Sequence, residues 1–168
     1  TSDGSATVSI GTATITASAG TGGSISPAGA TTIDCGTSQS YTITADACYS
    51  IADVLVDGVS QGAVSSYTFT NTAQGPHTIA ATFSLNTYTI TATAGTGGSI
   101  SPSTGNVNCG SNATYTITAD ACYSIADVIV DGVSQGAIGT YTFTDVQAPH
   151  SISATFSLNT YAITVTAG

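Results

Sequence analysis

The sequence predicts an all-β protein built from tandem small modules, each an antiparallel β-sandwich or partly open barrel, with two complete repeats. Three observations carry this. Tyr41 to Ala63, YTITADACYSIADVLVDGVSQGA, returns at Tyr115 to Ala137 with one change, Leu55 becoming Ile129, and self-similarity at the length of one small module marks a repeat array. Apolar residues alternate with Thr or Ser over short runs, as half-buried strands require. Gly, Pro, Asn and Asp fall between those runs, where turns need them.

Along the chain, Thr7 to Ala17, TVSIGTATITA, aligns with Thr82 to Ala92, TFSLNTYTITA. Residues 1–11 therefore read as the last strand of a preceding repeat, 12–86 as repeat 1 and 87–159 as repeat 2. Asn159 to Gly168, NTYAITVTAG, copies Asn86 to Gly95, so 160–168 read as the first strand of a further repeat. Within repeat 2, Ile90 and Ala92 alternate with Thr, as do Tyr115 and Ile117, Tyr141 and Phe143, and Ile152, Ala154 and Phe156 alternate in the same way. Punctuation comes from GTGG at Gly95, SerPro at Ser101, CysGly at Cys109, AspGly at Asp131, GlnGly at Gln135 and AlaProHis at Ala148. AspGly is the pair that a two-residue type I′ hairpin turn prefers, because both central positions need positive φ. About six or seven strands per repeat follow from this spacing; a short helical turn over 124–128 stays open as an alternative. No flexible linker separates the repeats. FSLNTYTIT, from Phe83 to Thr91, passes from strand to strand through a polar Asn-Thr step, and so short a joint predicts stiff coupling between neighbours.

Composition excludes several functions. The 168 residues contain no Lys, Arg, Met or Trp, all nine acidic residues are Asp, and Ser and Thr together make up about a third of the chain. Without Lys or Arg there is no guanidinium clamp for phosphate and no basic patch, and a net charge of −9 repels nucleic acid and anionic membranes. Schiff-base and lysine cross-linking chemistry are equally closed. No apolar run approaches the roughly 20 residues of a membrane-spanning helix. With neither a signal peptide nor an initiating Met, the sequence reads as mature or excised material.

Cysteines supply the covalent candidates. Cys35 recurs as Cys109 and Cys48 as Cys122, 74 positions on in both cases. Paired, repeated cysteines in such a chain point to disulfides formed in an oxidising compartment, hence to an extracellular or cell-surface location. The expected pairing is within each repeat, Cys35 with Cys48 and Cys109 with Cys122, stabilising each module by roughly 2 to 4 kcal/mol. A bridge between repeats or between chains is the alternative. The sequence has no CxxC pair, and its two His stand a repeat apart, so zinc is not expected.

Other polar residues have a bland and a sharp reading. Asp53 with Asp57, and Asp127 with Asp131, would share one face of a straight strand and offer two carboxylates to calcium, but the AspGly turns already account for Asp57 and Asp131. His77 and His150 each follow Pro at equivalent places and read as strand-edge or turn residues, with no GxSxG or SxxK nucleophile motif to serve. The tyrosines at 41, 49, 67, 88, 115, 123, 141 and 161 fall at alternating positions and read as core, with sugar stacking as the alternative. Asn112 opens an NAT sequon found in one repeat alone. No catalytic, cofactor or metal residue is expected.

GTGGSISP, then CG, then YTITADACYSIADVLVDGVSQGA, then YTFT and PHTIAATF resemble the bacterial surface repeats described as InlB B-repeat-like or divergent bacterial repeat domains. The likeness covers nearly the whole chain. It implies tandem modules in large secreted or surface proteins, with adhesive or structural roles and no catalysis. The expected function is thus a non-enzymatic extracellular filament or cell-surface stalk, with head-to-tail self-association by strand addition between subunits. The alternative is an adhesin or carbohydrate-binding module, in which repetition supplies avidity for a glycan ligand.

Overall fold

A computed structural model describes residues 11–165. They fold as all-β structure, with no helix among the described residues, and divide into two compact units between Leu85 and Asn86. Each unit carries one five-stranded and one three-stranded open sheet.

In the first unit β1 (Thr12–Ala19), β3 (Gly29–Asp34), β5 (Tyr49–Val56), β6 (Val59–Ser60) and β8 (Gly75–Leu85) form a sheet ordered β3-β1-β8-β5-β6. The smaller sheet, β2-β4-β7, contains β2 (Gly23–Ser26), β4 (Gln39–Ala45) and β7 (Ser66–Phe69). The alternation seen in the sequence is the burial pattern. Ala13, Ile15 and Ala17 of β1 point inward between exposed threonines, and Tyr41 and Ile43 do the same in β4. Ile15, Ala17, Val54, Val56, Ile79 and Ala81 from the large sheet pack with Ile25, Tyr41, Ile43 and Phe69 from the small one. One shared apolar layer makes each unit a sandwich.

The second unit repeats this plan. Its large sheet, β11-β9-β16-β13-β14, contains β9 (Thr87–Ala94), β11 (Gly105–Asn108), β13 (Tyr123–Val130), β14 (Val133–Ser134) and β16 (His150–Leu158). Its small sheet, β10-β12-β15, contains β10 (Gly98–Ser101), β12 (Ala113–Ala119) and β15 (Thr140–Phe143). Ile90, Tyr115, Ile117, Val128, Val130, Phe143, Val146 and Ile152 fill the core. One core position differs in chemistry. Where repeat 2 buries Val146, repeat 1 buries Thr72, whose hydroxyl donates to the Thr37 carbonyl at 3.0 Å and so is not orphaned.

The structure departs from the sequence reading at three places. Each repeat has eight strands, because β6 and β14 are two-residue strands that the period-two pattern is too short to reveal. Ser124 to Val128 lies inside β13, so the alternative of a helical turn is overturned; its apolar residues are drawn into the sheet, with a bulge at Ile125/Asp127. Finally, the first and last strands of each unit pair in parallel, β1 with β8 and β9 with β16, amid otherwise antiparallel neighbours. The chain therefore enters each unit at one end of the large sheet and leaves at the other. The strand expected over 1–11 falls, except for Gly11, outside the described residues. Residues 160–165 of the expected closing strand are described, lie in no strand, and expose Tyr161, Ile163 and Val165.

GTGG is explained by close approach. A Cβ on Gly98 would meet the Phe156 ring and, at 2.5 Å, the Thr118 carbonyl oxygen, and one on Gly97, whose φ is +97, would run into Tyr123. The backbone is pressed against two aromatic rings, which only glycine allows. Tyr41 poses the opposite case, since its side chain is fully buried and its hydroxyl has no hydrogen-bond partner. Chemical denaturation should separate the two. Gly98→Ala is expected to cost about 1–3 kcal/mol through overpacking against backbone, whereas Tyr41→Phe is expected to be neutral or stabilising because it deletes an unsatisfied group.

Candidate functional site: aspartate-clipped hairpins and the cysteines

Each repeat builds a polar cluster where the β5–β6 hairpin, or β13–β14 in repeat 2, meets the start of the last strand. Asp57 and Gly58 both have positive φ, 49° and 80°, and Asp131 and Gly132 match them at 48° and 80°. These are the type I′ conformations that AspGly predicts. The turn aims the Asp57 carboxylate at β8. Its Oδ1 accepts the Thr78 amide at 2.7 Å and its Oδ2 lies 2.7 Å from His77 Nδ1. Repeat 2 reproduces both contacts at 2.7 Å, Ser151 N–H to Asp131 Oδ1 and His150 Nδ1 with Asp131 Oδ2. The His rings lie against Phe69 and Phe143.

Four residues back along the chain, Asp53 Oδ1 accepts the Ser60 hydroxyl at 2.7 Å and the Gly62 amide at 3.0 Å, and Asp127 does the same with Ser134 and Gly136. Asp53 and Asp57 are thus committed to separate tasks. Neither pair of carboxylates converges on a common point, and no group of three or more metal-ligating residues occurs among the described residues. Sequence reasoning missed the Asp57–His77 and Asp131–His150 pairs. The available signal was that both partners recur together in the two repeats.

In the first repeat the pairing shifts both groups. Burial pushes the Asp57 carboxyl up, but the hydrogen bonds from His77 and Thr78 together with the imidazole charge outweigh it and hold the group below its ordinary 3.8. Asp131 is likewise lowered: burial works against it, and the Ser151 amide, His150 and the Ser151 hydroxyl prevail. For His77 the Asp57 hydrogen bond is the largest effect and raises the pKa above 6.5, helped by the Ala73 carbonyl and the Asp57 charge against slight desolvation. The ring faces two acceptors, since Nε2 lies 3.2 Å from that carbonyl. An imidazolium satisfies both with N–H donors, and no ring nitrogen is left to serve as a general base.

The remaining candidates are structural or solitary. Tyr41 and Tyr115 are buried in the cores; Tyr67 and Tyr141 stack edge-on against Phe69 and Phe143; Tyr161 is exposed. Asn112 Oδ1 accepts the Asp145 amide at 2.9 Å. Cys48 and Cys109 are disulfide-bonded, while Cys35 and Cys122 carry free thiols. Of the four expected bridge residues, therefore, two are engaged. The in-repeat pairings Cys35–Cys48 and Cys109–Cys122 are not formed, since each would need one of the free thiols. The described residues enclose no pocket.

A family model described as the divergent InlB B-repeat domain matches residues 88–160, the span running from β9 to just beyond β16. Residues 88–160 are a divergent InlB B-repeat domain. The first unit, with the same strand order and the same Asp–His clip, is an internal copy of that B-repeat. The family match to residues 88–160 and the disulfide together suggest a surface or secreted setting. No curated protein and no solved structure matches the chain.

The clip gives the first B-repeat a defined pH response. His77 holds its proton more tightly folded than unfolded, so its contribution is complete below about pH 6.5 and is lost as pH rises through the higher folded value. Asp57 contributes above about pH 3.8, and that contribution is lost as pH falls through the lower folded value. The clip is therefore strongest between these limits. An NMR titration of the His77 ring is expected to give a midpoint above 6.5 that drops in Asp57→Asn, with the variant losing the stability decline seen in the parent above neutral pH. An unchanged midpoint would contradict the pairing.

Proposed function

We propose that this chain is a non-enzymatic extracellular structural element, a length of cell-surface stalk or filament assembled from serial B-repeats. The observation that carries the reading is the parallel pairing of first and last strands, β1 with β8 and β9 with β16. A module that takes the chain in at one end of its sheet and releases it at the other suits threading into a serial array. A single residue, Asn86, separates β8 from β9, leaving little slack in the backbone. The committed polar groups favour a scaffold over a catalyst. Both His77 nitrogens and all four clip aspartates already serve hydrogen bonds within their own repeat.

Self-association belongs to the same proposal. Tyr161, Ile163 and Val165 occupy the positions that Tyr88, Ile90 and Ala92 hold in β9, and they are 78%, 89% and 87% exposed. Strand addition would cover this alternating apolar face. The receiving slot in the first unit is held by its own β1, so strand exchange would require β1 to be displaced.

Electron microscopy of native material is the test. Thin, regularly segmented filaments or surface stalks are expected, and exclusively compact, unassociated particles would overturn the reading.

A further inference from the structure

The two repeats place their cysteines in matched settings yet in different states. At the first cysteine position Cys109 is disulfide-bonded and Cys35 is a free thiol; at the second, Cys48 is bonded and Cys122 is free. The backbone does not distinguish them. Cys48 and Cys122 share the same left-handed φ of 67°, a conformation costly for a side chain with a Cβ and one that a turn must impose. The amides of Cys35 and Cys109 donate to the carbonyls of Gly11 and Asn86 at 2.8 and 2.9 Å, and the following glycine amides, Gly36 and Gly110, donate at 2.9 Å to Thr72 and Val146. Accessibility does distinguish them. Cys109 is buried where Cys35 is half-buried, and Cys48 is half-buried where Cys122 is exposed.

We propose that Cys35 and Cys122 are reciprocal half-sites through which copies of this chain are joined covalently, Cys122 of one copy to Cys35 of the next. The engaged cysteines are a second-position and a first-position residue, and the free thiols are again one of each. Each free thiol is held by a backbone already shaped, in the other repeat, for a bonded sulfur. With one half-site of each kind per chain, bonding produces a directional polymer and needs no lysine.

The chemistry requires an oxidant, for which a small-molecule disulfide such as oxidised glutathione suffices. The exposed Cys122 thiolate attacks one glutathione sulfur, forming a mixed disulfide and expelling the other as thiolate. The Cys35 thiolate of a second copy then attacks the Cys122 sulfur, forming the intermolecular S–S bond and expelling the second glutathione thiolate. Two protein thiols are oxidised, one glutathione disulfide is reduced to two thiols, and the two protons pass to the departing thiolates.

The inference deepens the filament reading and rests on it for its biological setting, but the two fail separately. The chain, with its existing disulfide intact, is incubated with oxidised glutathione and resolved by non-reducing electrophoresis. A ladder of multimers that collapses with dithiothreitol is expected, and mass spectrometry after digestion with a protease that does not need Lys or Arg should identify a Cys35–Cys122 linked peptide. Cys35→Ser or Cys122→Ser alone should stay monomeric, each lacking one half-site, whereas an equimolar mixture of the two should stop at dimers. A parent chain that stays monomeric, a ladder that persists when both are replaced, or linkage of Cys35 to Cys48 would overturn the proposal. Native filaments that survive reduction with both thiols free would overturn it too, while leaving the filament reading standing.

Discussion

Without lysine or arginine, any protein partner that a carboxylate of this chain takes has to come from amides, hydroxyls and two histidines. That constraint shapes the B-repeat more than any single core residue does. Asp53 and Asp57, with Asp127 and Asp131, bind backbone amides of Gly62, Thr78, Gly136 and Ser151, which strand pairing alone would not explain. Charge-assisted hydrogen bonds to N–H groups are stronger than neutral ones and less dependent on long flexible side chains. The carboxylates thereby become the fasteners that hold a short hairpin to the sheet. Salt screens exposed ion pairs, but it has less purchase on a carboxylate bonded directly to backbone N–H.

The fastening places the hairpin where the sandwich needs it. Val54 and Val56, just before the AspGly turn, point into the core beside Ile79 and Ala81, so the turn, the clip and the apolar layer support one another. The same arrangement recurs in the second repeat with Val128, Val130, Ile152 and Ala154. Because β8 and β16 are central in their sheets, each is flanked on one side by the clipped hairpin strand and on the other by the strand through which the chain enters. A polar fastener thus acts on the element through which successive repeats are connected. On the stalk or filament proposed above, such coupling would let each repeat hold its own termini in place.

Much of this was legible in the residues. Thr/Ile alternation located most of the strands, because side-chain period two translates directly into burial, and AspGly specified turn chemistry down to the sign of φ at Asp57 and Asp131. What the pattern could not convey was partnership. Parallel pairing of β1 with β8 depends on which strands meet, and alternation is the same for a parallel or an antiparallel neighbour. The cysteines show the same limit. Spacing of Cys35 from Cys48 made an in-repeat bridge plausible, but a disulfide needs Cα and Cβ geometry that loop length does not fix, and the bonded residues are Cys48 and Cys109. His77 and His150 looked solitary because their partners lie 20 and 19 residues away along the chain, across a fold that brings them together.

Amide hydrogen exchange tests the central claim most directly. Gly62 and Gly136 lie outside the strands, and their amides donate to Asp53 and Asp127. Carboxylate fastening predicts that both amides exchange about as slowly as those inside β5 and β13, and that Asp53→Ala releases Gly62 without releasing Gly136. Rapid exchange at both glycines in the parent chain, matching an exposed turn amide such as Gly58, would contradict it.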